Sequence, residues 1–172
     1  MVVKGTRKLN KAISAVLAPF GIAGAKLSDE YSYHYDTEKI YYKVTENAIE
    51  DIWFLEFIEE RFGYKPKYPF VMSLLHEVGH HEANDEIEGA LLDFCLMEKQ
   101  RIAEEMETAD DEESKKLEWQ YFNLPDEIMA TAWAVNFSKN NPDMVEQMWT
   151  KMRKAFYKFY TANGLDIAAG GE

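Results

Sequence analysis

The chain has 172 residues, 47% of them hydrophobic and 14% aromatic, with only five prolines and nine glycines. That composition excludes a disordered chain and suits one domain with a real hydrophobic core. A net charge of −12 argues against nucleic acid as a general partner, and no apolar run is long enough to cross a bilayer.

Near the N-terminus Lys4, Arg7, Lys8 and Lys11 flank the start of the apolar run AISAVLAPFGIAGA, and Ala23-Gly24-Ala25 mimics a signal-peptidase site. Pro19 interrupts that apolar region, however, and Leu9, Ile13, Val16, Leu17 and Phe20 recur at helical spacing. The expectation is a packed amphipathic helix over 6–18, ended by Pro19 and Gly21, in a cytoplasmic protein. A secretion signal is the alternative.

A short strand is expected at 22–27, and EYSYHYDTEKIYYKV reads as a β-hairpin over 31–44 with its turn at 36–39. Tyr31, Tyr33 and Tyr35 then share one face of the first strand. A helix over 45–61 closes at Gly63, and the turn-rich YKPKYP leads into a helix over 70–81. Helical patterns follow at 84–107 and 111–122. Between Glu82 and Glu118 lie fourteen acids and four bases, a balance of −10 that reads as a solvated acidic face. Cys95, the single cysteine, excludes an internal disulfide; within the apolar run 90–97 it reads as core. Pro125 suits the first turn of a helix to about 138, and Asn140-Asn141-Pro142 breaks the chain before a last helix to about 160. The tail, 163–172, reads as frayed. These elements make one α+β domain, a small sheet followed by helices.

The chemistry concentrates in LLHEVGHHEAN, residues 74–84. On a helix, His76 and His80 lie four apart on one face and can offer two imidazoles to one ion. Zinc favours nitrogen ligands, and a catalytic zinc keeps one position for water. Glu77 lies beside such a site without binding the ion, where it can take a proton from water attacking a carbonyl. Gly79 costs about 1 kcal/mol relative to alanine inside a helix, which makes sense where another backbone comes close. Glu127 is the favoured third ligand. Ala130 and Ala134 lie one and two turns beyond it, small enough for its helix to approach Gly79 and Ala83. Asp85, Glu86 and Glu88 are the alternatives from the motif's own neighbourhood.

FVMSLLHEVGH resembles the active-site helix of the zincin metallopeptidases. Two histidines on one helix with a glutamate from a later one are similar to the gluzincin branch. The metzincin pattern would instead need a glycine at position 83 and a histidine at 86, where this chain has Ala83 and Glu86. Within the gluzincins the chain is most similar to the IrrE/ImmA-type metallopeptidases. The likeness rests on Ile40-Tyr41-Tyr42, then His76 to His80, then Glu127-x-x-Ala130-x-x-Trp133-Ala134. The acidic helical segment 84–122 stands between the two motifs as an insertion. The resemblance implies a zinc-dependent peptidase acting on a protein or peptide substrate, with regulatory proteins such as repressors as its class. A zincin-fold protein that binds metal without turnover, as a binding or regulatory module, is the alternative. Neither reading involves nucleic acid or membrane.

Overall fold

A computed structural model describes residues 5–44, 52–83 and 87–164. Helix α1, Thr6–Leu17, buries Leu9, Ile13, Val16 and Leu17, the apolar stripe that its spacing predicts. A 3-10 turn over Ala18–Phe20 follows, and Gly21 closes it at φ 77°, a left-handed conformation that favours glycine. Phe20 then packs edge-on against Trp133 and Phe137.

Strands β1 (Gly24–Leu27), β2 (Ser32–His34) and β3 (Lys39–Tyr42) form one sheet in the order β1-β3-β2. The expected hairpin is β2 against β3, antiparallel, with Tyr33 opposite Ile40. β1 joins the other side of β3 in parallel. Its outer edge is satisfied by α1: Ser14 Oγ accepts from Ala25 N–H, and Asn10 Oδ1 accepts from Leu27 N–H and the Tyr42 hydroxyl. Two polar side chains of an otherwise amphipathic helix thus dock it on the sheet, where unpaired N–H groups would be costly.

The helices that follow are α2 (Ile52–Phe62), α3 (Pro69–Glu82), α4 (Ala90–Met106), α5 (Asp111–Phe122), α6 (Pro125–Asn140) and α7 (Pro142–Asn163). α3 is the central element, buried at every residue from Phe70 to His80. VMSLL supplies apolar side chains all round the first turns, the pattern of a helix enclosed by neighbours. α6, α7 and the sheet enclose it, and the main core runs through Leu9, Tyr42, Phe57, Leu74, Met152 and Tyr160. α4 and α5 pair with one another over a small cluster of Ile102, Leu117 and Leu124. Cys95 is buried, as expected of a core cysteine.

One boundary differs from expectation. The acidic pattern at 84–107 reads as one helix, but α4 begins only at Ala90, after Gly89 at φ 57°. The expected helix over 45–61 is described as α2 from Ile52 to Phe62; 45–51, and the tail from 165, lie outside the described residues. No helix among the described residues is long and apolar enough to cross a membrane.

Gly79 has its reason in α6. A Cβ at this position would lie 2.8 Å from Ala130 Cα and 2.9 Å from its carbonyl carbon, with the carbonyl oxygen nearer still. The obstacle is backbone, so relief requires moving a whole helix. Gly79→Ala should therefore lower stability by about 1–3 kcal/mol, despite alanine's better helix propensity. Thermal unfolding checks this; an unchanged melting temperature would mean that α6 retreats freely.

Candidate metal centre

The close approach at Gly79 brings the first turn of α6 beside the second half of α3. Glu127 thereby meets His76 and His80, and one ligand atom from each of the three lies within 4.8 Å of the others. His76 Nε2 is 3.0 Å from Glu127 Oε2 and 3.2 Å from His80 Nε2, and His80 Nε2 is 3.4 Å from Glu127 Oε1. All three residues are at least nine-tenths buried. A Thr131 hydroxyl, one turn beyond Glu127, is 3.0 Å from His76 Nδ1. In the tautomer with Nδ1–H as donor to that oxygen, the lone pair of Nε2 faces the cluster.

These distances test the fit to a metal. A tetrahedral ion with bonds of about 2.0–2.1 Å holds its ligand atoms about 3.3–3.4 Å apart, close to the separations among the two imidazoles and the carboxylate. Lone pairs converging at such range repel unless a proton or a cation lies between them. The donor set suits a borderline transition metal such as zinc. Glu127 carries the negative charge: burial works against it, but the two histidines outweigh burial and hold its carboxyl well below the usual range.

Glu77 points to the same cleft from the residue after His76 and is also buried. The backbone N–H of Tyr33, on β2, donates to its carboxylate, tying the sheet to the motif helix. Burial pushes the Glu77 carboxyl up to about 7, with Glu127 adding to the rise and His76 and Lys99 opposing it. Tyr33 is used twice, since its hydroxyl lies 2.8 Å from His81 Nδ1. The third histidine of the motif therefore braces β2 and stands outside the ligand cluster.

Sequence reasoning missed two further groups. Lys99 reaches in from α4 to bond both Asp126 and Glu127, and its ammonium also lies 5.2 Å from the centroid of the Tyr121 ring. Burial works against the charge of Lys99, but the two carboxylates more than restore it. The Tyr121 hydroxyl is pushed well above its ordinary range by burial, with Glu127 and Glu77 adding to the effect, so it stays an O–H donor at neutral pH. A base on a helix with a buried face was a weak signal for Lys99. Nothing distinguished Tyr121 among ten tyrosines.

Of the alternative ligands, Glu88 is exposed, while Asp85 and Glu86 lie outside the described residues. The cluster opens into a cleft of about 390 Å³ between β2 on one side and α4 and α5 on the other. Comparison of the chain with family models, with curated proteins and with solved structures finds no match.

Proposed function

We propose that the chain is a zinc-dependent peptidase of the gluzincin kind, similar to the IrrE/ImmA-type metallopeptidases, that hydrolyses a peptide bond in a protein substrate. The observation that carries this reading is the meeting of His76, His80 and Glu127 at one point, with the Glu77 carboxylate beside them in an open cleft. A zinc ion held by the three side chains would supply Lewis-acid polarisation of water and carbonyl oxygen.

The chain's own groups supply the rest. A Glu77 carboxylate oxygen takes the proton of the attacking water and returns it to the departing amine nitrogen. The Tyr33 N–H restrains that carboxylate from the sheet side, so proton transfer starts from a fixed position. Tyr121 and Lys99 reach the same cleft and both hydrogen-bond the Glu127 carboxylate, so they hold the third ligand in position. β2 is an edge strand of the sheet and lines the cleft, and an extended substrate can add to it by backbone hydrogen bonds.

The test is chelation. Zinc-loaded protein should cut a partner in lysate of its own host, lose that cutting when the metal is stripped, and regain it when zinc is returned. Cutting that survives metal removal would overturn the reading.

A further inference from the structure

Large apolar side chains are commonly exposed singly, and a cluster of them marks a surface that something covers. Of the six exposed large hydrophobic residues among the described positions, four fall in two turns of α4. Leu91, Phe94, Leu96 and Met97 are 41%, 49%, 56% and 70% exposed. The stretch ALLDFCLM is apolar on nearly every side, a pattern normal for an enclosed helix and anomalous for one with a solvent face. This patch reaches the cleft at Leu96, which lines it together with Leu92, and Tyr35, a fifth exposed residue, lines it beside β2.

The charge around the patch is net negative. Six carboxylates and two lysines line the cleft, so a divalent cation at the histidines still leaves a net negative charge, with Glu77 counted as partly ionised. Lys99 is already engaged by Asp126 and Glu127. Asp29 and Glu30 stand exposed on the loop before β2, and Asp93 is exposed on α4 among the apolar residues.

We infer that the cleft takes an extended polypeptide segment with large apolar side chains beside the metal centre and lysine or arginine outside them, docked across the first two turns of α4. This rests on the peptidase reading for the role of the cleft, and it makes the acidic helical segment the specificity wall of the site. The apolar residues of the segment cover Leu92, Leu96 and Tyr35 in the cleft and reach Met97, the residue after Leu96. Its basic residues meet the exposed carboxylates of Asp29, Glu30 and Asp93. Charge of this kind contributes chiefly to selection and to the rate of encounter, and salt weakens it.

The experiment uses zinc-loaded Glu77→Gln protein, so that a probe is bound and not consumed. Three fluorescein-labelled synthetic peptides are compared by anisotropy: a Leu-Phe-Met tract flanked by lysines, the same tract flanked by glutamates, and a Ser-Gly tract flanked by lysines. The first should bind at least about tenfold tighter than either of the others, and its advantage over the glutamate peptide should shrink as salt is raised. A Leu96→Ser, Met97→Ser double variant changes only exposed side chains, so it should keep its zinc and its melting temperature while losing most of that preference. Equal binding of lysine- and glutamate-flanked peptides, no binding of any of the three, or full preference in the double variant would overturn the proposal. Parent protein, with Glu77 intact, separates the two readings. Preferred binding without cutting sustains the docking site and removes the peptidase; cutting with no regard to the flanks does the reverse.

Discussion

His76→Ala and His80→Ala should abolish stoichiometric zinc binding, and Glu127→Ala should come close to doing so. A catalytic zinc site has three protein ligands, and two remaining donors hold the ion poorly. The losses should exceed the 10–100-fold in affinity that removal of a supporting residue typically costs. Thr131→Val supplies that comparison, because Thr131 contacts His76 Nδ1 and would not touch the ion. Glu88→Ala should do nothing, since Glu88 is exposed at the far end of the α3–α4 connection. Elemental analysis and competition with a chelator give the ranking. A parent protein free of transition metal, with histidine variants that melt like it, would reduce the three side chains to a buried hydrogen-bonded cluster. A larger loss in Glu88→Ala than in Glu127→Ala would move the third ligand to α3's own flank.

What could be read in advance follows from local rules. The i, i+4 spacing of His76 and His80 needs only a helix, and VMSLL guarantees one that is enclosed. Glu127 could be picked because Ala130, one turn later, is small, and a helix with a small residue can meet the glycine of another. Gly79 and Ala130 do meet, backbone against side-chain position. The stripe of Leu9, Ile13, Val16 and Leu17 was equally plain.

What could not be read was non-local or polar. Asn10 and Ser14 cap the outer edge of β1, a contact that no periodicity announces. The parallel pairing of β1 with β3 is likewise a non-local contact. Gly89 breaks the acidic pattern at a left-handed position, although a single glycine is often tolerated within a helix. Lys99 was hidden by composition: fourteen acids and four bases suggest a solvated face, yet this one base turns inward to two buried carboxylates. Charge counts average over a segment, while a site depends on which single side chain lies on the inner face.

Glu77→Gln should separate catalysis from every other property of the site. Glutamine has nearly the shape of glutamate, and its amide oxygen can still accept the Tyr33 N–H that holds the carboxylate from the sheet side. Glu77 is not among the ligand cluster, so zinc content should be unchanged. The buried position favours the exchange for stability, because a neutral amide is cheaper to keep from water than a carboxylate. The amide cannot take a proton from water at neutral pH, however, and general-base catalysis is typically worth 10²–10⁴-fold. Hydrolysis of a partner found in host lysate should fall by about that factor while its capture survives. The loss should appear in kcat with KM little altered, because the group acts only as charge develops in the transition state. If parent and variant capture the same partner and neither cuts it, the protein is a metal-binding module on a peptidase-like site. If both cut at equal rates, the proton goes elsewhere, and Glu77 serves only to anchor β2 against the motif helix.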